Sequence, residues 1–241
     1  MDPSQQQGRR VAFFGGSFDP PHRGHLAVAR AARAALKLDT VLFAPVGAQP
    51  LKLGGAGASF ADRMEMTRLA IDGEPGFSLS LADAPKPAGE PNYTLETLLR
   101  LRNALPEGGK LFCLMGADSY FGLRGWHRAA EIPFAAPLVV ASRPGERMDE
   151  LEMALPSGLR IEAAGEGVET AEDGAMRHYV VANRAGERTL LYLLPGLHVE
   201  ISASAIRKQM QDTREPRAVE EQLPSAVTAY IRTHGLYGWE R

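Results

Sequence analysis

A short apolar run, Val11 to Phe14, passes directly into Gly15-Gly-Ser-Phe-Asp-Pro-Pro-His-Arg-Gly-His25, and an Ala/Leu-rich helical pattern continues to Leu36. Strand, tight glycine loop and helix in direct succession restrict the fold more than any other stretch of the chain. Gly15 and Gly16 lack side chains, so backbone there can come close to a bound group. The helix start behind them offers unpaired N–H groups and the positive end of the helix dipole, a ready site for an anion. His22 and His25 stand at that same helix start. Two imidazoles there point to phosphate chemistry more than to metal binding, because no third nearby ligand is evident. Asp19, ahead of Pro20, reads as a residue that shapes the turn.

The same alternation repeats downstream. Strands are expected at Thr40–Val46, Phe77–Leu81, Lys110–Met115 and Leu138–Ala141, and helices at His25–Leu36, Ser59–Ile71 and Thr94–Leu105. Ser59 and Asp62 have the spacing of a capping pair. Continuous apolar strands alternating with helices predict an α/β fold: a Rossmann-like, mostly parallel sheet with helices on both faces. Ligands of such sheets bind beyond the carboxyl ends of the strands. Gly15–Asp19, Pro45–Lys52 and Gly116–Ser119 all follow strands and should converge there. Helices over Ser202–Met210, Val219–Gln222 and Ser225–Thr233 form a C-terminal helical portion, with Ser202 and Ser204 suited to the start of the first.

The middle differs. A short helix over Glu146–Leu155, a strand over Leu159–Ala163 and a hairpin of His178–Asn183 with Thr189–Leu194 are expected. The charged stretch Ala163–Arg177 reads as a mobile loop, and 145–190 as a whole as a peripheral insertion. Residues 1–9 read as a flexible N-terminus and 10–241 as a single domain.

Composition excludes several classes. A net charge of −2 over 241 residues gives no global attraction to a nucleic acid polymer or an anionic membrane, so any phosphate site must be local. The single cysteine, Cys113, rules out an intrachain disulfide framework and sits in an apolar run as a buried hydrophobe would. The start MDPSQQQGRR lacks the apolar core of a signal peptide, and no run is long enough to span a bilayer; a cytoplasmic location is the expectation. Homo-oligomerisation stays open.

With these residues in view, Gly15-Gly-Ser-Phe-Asp-Pro-Pro-His-Arg-Gly-His25 resembles the signature of the HxGH nucleotidyltransferases, and Ile201-Ser-Ala-Ser-Ala-Ile-Arg207 resembles their C-terminal hydroxyl-rich motif. Pro91-Asn-Tyr-Thr-Leu-Glu-Thr97, Met115-Gly-Ala-Asp-Ser119, Trp126-His127 and the tail from Leu223 to Tyr237 narrow the likeness to the nicotinate-nucleotide adenylyltransferases. The resemblance implies adenylyl transfer from ATP to nicotinate mononucleotide, with release of pyrophosphate, and Mg²⁺ accompanying the ATP. It implies no tightly bound organic cofactor and no metal held by the protein alone. Catalytic roles fall to His22, His25 and Arg207, and triphosphate contacts to Gly15, Gly16, Ser17, Phe18, Lys52, Ser202 and Ser204. Lys52 follows Leu51 where the family often has a histidine. Thr94, as a helix cap, with Asp118 and the flat face of Trp126, is implied to hold the acceptor nucleotide. Transfer to nicotinamide mononucleotide or phosphopantetheine, cytidylyl transfer to an alcohol phosphate, and a catalytically silent regulatory protein are the alternatives.

Overall fold

The computed structural model describes residues 8–47, 57–87, 89–141, 148–162, 176–194, 201–211 and 216–239. In chain order, β1 (Arg10–Gly16) leads to α1 (Arg23–Leu36), β2 (Thr40–Pro45), α2 (Phe60–Ala70) and β3 (Phe77–Leu79). Then come α3 (Thr94–Ala104), β4 (Lys110–Gly116), α4 (Ala117–Phe121), α5 (Ile132–Ala135) and β5 (Leu138–Ala141). They are followed by α6 (Met148–Ala154), β6 (Leu159–Glu162), β7 (Arg177–Asn183) and β8 (Arg188–Leu194). Three helices end the chain: α7 (Ala203–Gln211), α8 (Pro216–Gln222) and α9 (Ser225–His234).

The strands form one sheet in the order β3-β2-β1-β4-β5-β8-β7-β6. β1 with β4, β4 with β5 and β5 with β8 are parallel; β8 with β7 and β7 with β6 are antiparallel. Val11–Phe14, Leu111–Met115 and Leu138–Ala141 are buried at every position. Successive side chains on a strand point to opposite faces, so unbroken burial means that both faces of these strands are covered. The mostly parallel, Rossmann-like sheet and the helical C-terminal portion are therefore as the alternation predicts.

The chain forms two compact units, each threaded by three stretches. One takes the chain up to Phe14, then Arg30–Val41 and Tyr93–His198. Here β7 and β8 make the expected hairpin, whose turn is held by Asn183: its Oδ1 accepts from the N–H groups of Ala185 and Glu187, both at 3.0 Å. The hairpin continues the sheet through β8, and β6 follows it as the last strand. Around β6, Glu162 takes Arg160 at 2.8 Å and Arg188 at 2.9 Å. α6 is fastened by Tyr120, whose buried hydroxyl donates to the Leu151 carbonyl at 2.8 Å. Cys113 is buried within β4, as its apolar neighbours suggest.

The other unit comprises Gly15–Ala29, Leu42–Asn92 and the chain from Val199 onward. Its core is helical: Met66 and Ala70 of α2 meet Ile206, Met210, Val219, Val227 and Ile231 of the C-terminal helices and Leu223 between α8 and α9. Ser59 caps α2, its Oγ accepting from the Asp62 N–H at 3.1 Å and donating to the Asp62 carboxylate at 2.5 Å. α9 ends at Gly235, in the left-handed conformation (φ 59°) that a helix C-terminus favours and glycine adopts without penalty.

Two differences from expectation have simple causes. α1 begins at Arg23 rather than His25, because the His22 carbonyl already accepts from the His25 N–H at 2.9 Å. α4 and α5 span five and four residues, too few for a helical period to register in sequence. The expected start of α6 at Glu146 and most of the Ala163–Arg177 loop lie outside the described residues.

Candidate active site

The site is built from the β1–α1 turn. Ser17 follows the last strand residues, and Phe18 adopts a left-handed backbone (φ 47°), costly for a residue with a side chain by about 1–3 kcal/mol. Its ring is buried, 4.9 Å from the His25 ring and 5.6 Å from that of Phe43. Phe18 thus serves as the hydrophobic floor beneath a histidine. Gly16 has ordinary room on the protein side, where a Cβ would meet the Phe18 ring at 3.4 Å.

His22 and His25 stack with ring centroids 3.7 Å apart and 29° between planes. The His22 N–H donates to His25 Nδ1 at 3.1 Å. This is the returning half of a capping box, with imidazole where Glu or Gln is common, and it satisfies an orphan N–H at the helix start. With Nδ1 committed as an acceptor, a neutral His25 carries its proton on Nε2. Burial lowers the His22 pKa from 6.5 to about 4. Protein atoms crowd His25 although part of its ring stays open; that burial, then repulsion from His22, hold its pKa well below the usual value. Both rings are therefore neutral donors near pH 7. His22 Nδ1 is buried with no partner among the described residues.

Asp19 does more than shape a turn. It is 2% exposed, and its carboxylate accepts from the N–H groups of Gly57 at 2.6 Å and Ala58 at 3.1 Å and from the Tyr237 hydroxyl at 2.7 Å. Arg207, the fifth residue of α7, donates from Nη1 to the Asp19 carbonyl at 2.6 Å. The motif at the far end of the chain is thereby joined to the first one. Ser202 caps α7, its Oγ accepting from the Ala205 N–H at 3.1 Å, and Ser204 is exposed on the first turn.

Sequence reasoning missed Arg63. This arginine is 2% exposed and donates to the carbonyls of Ser17 and Val46, both at 2.8 Å, so it ties the loop after β1 to the end of β2. Burial lowers its pKa. The signal was available: Arg63, Met66, Thr67 and Ala70 form the buried stripe of α2 at helical spacing, with one cation in it.

The expected acceptor residues lie in the other unit. Thr94 corrects the reading as a cap: Tyr93 holds the cap position without a side-chain bond, and Thr94 is the first residue of α3. A side chain already inside the first helical turn has lost the extended backbone a cap requires. Tyr93 instead packs its ring against His127, centroids 4.2 Å apart, which brings the start of α3 to the Trp126–His127 pair. Trp126 is half-buried at the end of a 3₁₀ turn, and Asp118 is exposed on α4 directly after β4. Lys52 lies outside the described residues. Among the described residues, no group of three or more His, Cys, Asp or Glu is arranged to hold a metal ion.

The chain is similar to known proteins. The profile of the family described as cytidylyltransferase-like matches residues 13–209. A protein of Gloeobacter violaceus named "probable nicotinate-nucleotide adenylyltransferase" is 36% identical over 230 residues, covering 95% of this chain and 97% of that one. A protein of the same name from Thermomicrobium roseum is 35% identical, covering 95% and 91%. Among solved structures, nicotinic acid mononucleotide adenylyltransferase of Plasmodium falciparum, complexed with NaAD, superposes with a TM-score of 0.69 at 14% identity over 96% of this chain and 98% of that one, a likeness of fold. The matched stretch holds both histidines and Arg207, and the relatives align along nearly their whole length; the chain belongs to the cytidylyltransferase-like family and, within it, to the nicotinate-nucleotide adenylyltransferases.

Proposed function

We propose that this chain transfers the AMP group of ATP to nicotinate mononucleotide, giving nicotinate adenine dinucleotide and pyrophosphate. The observation that carries the reading is the stacked pair of neutral imidazoles at the start of α1, with Arg207 held on the loop before it. An oxygen of the acceptor phosphate forms a bond to the α-phosphorus of ATP. The bond from that phosphorus to the β-bridging oxygen breaks, and its electrons leave with pyrophosphate. A phosphate is already nucleophilic at neutral pH, so catalysis rests on alignment and on donors facing the charge that develops.

His25 supplies Nε2–H to an α-phosphate oxygen, and its Nδ1 bond to the His22 N–H keeps that proton in place. His22, buried beside it, adds a second donor. An arriving triphosphate raises both pKa values, because an anion favours the charged imidazole. Gly15, Gly16 and the backbone of Ser17 let the phosphates approach, since Gly16 has only ordinary contact on its protein side. Ser202, Ser204 and Arg207 hold the β- and γ-phosphates at the start of α7, a nine-residue helix. Lys52 adds a charge to the same group. Mg²⁺ arrives with ATP and takes its ligands chiefly from phosphate oxygens and water. Trp126 stacks on the pyridine ring, Asp118 accepts from ribose hydroxyls, and the start of α3 at Thr94 receives the carboxylate.

No described helix is long and apolar enough to cross a membrane. The reading sets the enzyme in the cytoplasm, with small molecules as its partners. Pyrophosphate release with ATP and a panel of acceptors tests it: nicotinate mononucleotide, nicotinamide mononucleotide, phosphopantetheine and glycerol phosphate. The first should give the highest kcat/KM. A clear preference for another acceptor, or no release with any, overturns the proposal.

A further inference from the structure

We propose that Tyr237 is a positioning residue for Arg207, acting through the buried side chain of Asp19. The inference rests on the reading of Arg207 as a triphosphate ligand. Asp19 is gripped on three sides within one unit. The Tyr237 hydroxyl and the Ala58 N–H, at 2.7 and 3.1 Å, fix Oδ1, and the Gly57 N–H at 2.6 Å fixes Oδ2. On the third side, Arg207 Nη1 donates to the Asp19 carbonyl at 2.6 Å and lies 3.6 Å from Oδ2.

Only Nη1 of the guanidinium is taken in this way among the described residues. Nε and Nη2 are left as an adjacent pair of donors on a side chain 31% exposed, the geometry that meets two phosphate oxygens. Where that pair points is set by where Asp19 sits. Gly57 adds a steric link: a Cβ there would come within 3.2 Å of Tyr237 Cε1 and 3.3 Å of Arg207 Cδ. The tyrosine ring, the arginine stem and the Gly57 backbone therefore share one contact. Tyr237 itself sits at φ 60°, a left-handed backbone that a tyrosine adopts only when its surroundings impose it. The groups facing its hydroxyl are Asp19, Arg207 and Arg63, and burial with the Asp19 carboxylate pushes its pKa far above the usual tyrosine range. It stays protonated, a permanent donor to Asp19.

A tyrosine that only tethered the chain end would act independently of Arg207. A double-mutant cycle separates the two cases. Titrate a non-hydrolysable ATP analogue with Mg²⁺ into wild type, Tyr237→Phe, Arg207→Ala and the double variant, and measure the Michaelis constants of both substrates where turnover allows. Tyr237→Phe should weaken analogue binding about five- to tenfold. The acceptor KM should stay within about twofold, and the same change should cost nothing further in the Arg207→Ala background. Gly57→Ala should show the same dependence on Arg207, which keeps the test decisive should Tyr237→Phe fail to fold. Equal losses with and without Arg207, or no loss in either variant, overturn the proposal. Unchanged analogue binding in Arg207→Ala alone overturns instead the assignment of Arg207 to phosphate.

Discussion

Under the proposed mechanism His25 has two duties on one ring, and they use opposite nitrogens. Nδ1 accepts the His22 N–H and caps α1, while Nε2 carries the proton that the proposed mechanism turns toward the phosphate. His25→Ala should therefore cost about 1 kcal/mol of stability, the loss of a cap, as well as turnover. His22→Ala should spare the cap. Each substitution should lower kcat about a hundredfold or more, the cost of a donor that acts as charge develops. Steady-state kinetics with urea melts on both variants separate the two effects, and near-normal kcat in a folded variant refutes the role of that histidine. The buried ring of His22 also makes stability depend on pH. Its folded pKa of about 4 lies below the ordinary 6.5, so between those values the unfolded chain binds a proton that the folded chain refuses. Stability should fall as pH drops through that window, His22 contributing about 3 kcal/mol and the lowered pKa of His25 adding a loss of the same sign. Melts at pH 7.5, 6 and 5 should show the slope, and His22→Asn should reduce it, the remainder belonging to His25.

At the level of elements, Arg63 is the joint between α2, the loop after β1 and the end of β2. Arg63→Met leaves the Ser17 and Val46 carbonyls without their donor, a loss of about 2–4 kcal/mol. ATP affinity should fall with it, since the proposed function places Ser17 in the phosphate loop; unchanged thermal stability would contradict the joint. The elements themselves were legible where they are long and periodic. β1, α2, α3, β4, the β7–β8 hairpin, α7 and α9 lie within two residues of where apolar spacing and caps put them, and α8 starts three residues earlier, at Pro216. α4, α5 and the 3₁₀ turns were not, because one turn of helix leaves no period to read. The candidate site divides in the same way. His22, His25 and Arg207 stand out because their residue types and order carry chemistry. Arg63, Asp19 and Tyr237 act through partners between 17 and 218 positions away, and such contacts have no local pattern. Thr94 shows the converse: a hydroxyl near a helix start suggests a cap, yet one residue of phase puts it inside the helix.

Over the whole molecule, the two groups of site residues fall in different compact units: His22, His25, Ser202 and Arg207 in one, Thr94, Asp118 and Trp126 in the other. Substitutions should therefore sort by substrate. Trp126→Ala should raise the KM of the pyridine nucleotide about fivefold, for a stacking loss of about 1 kcal/mol, and leave that of ATP nearly unchanged. Arg207→Lys should do the reverse, because an ammonium cannot reproduce the planar fork. Equal shifts in both constants for either variant would refute that sorting. The outer strands have a consequence of another kind. The sheet ends on strands of three residues (β3) and four (β6), and beside the latter Arg160, Glu162 and Arg188 form a chain of charges. An open strand border is an adhesive one, ready to recruit another chain, and a short border studded with charge is a poor template for that growth. The chain can thus carry a wide sheet at cellular concentrations without stacking edge to edge into aggregates.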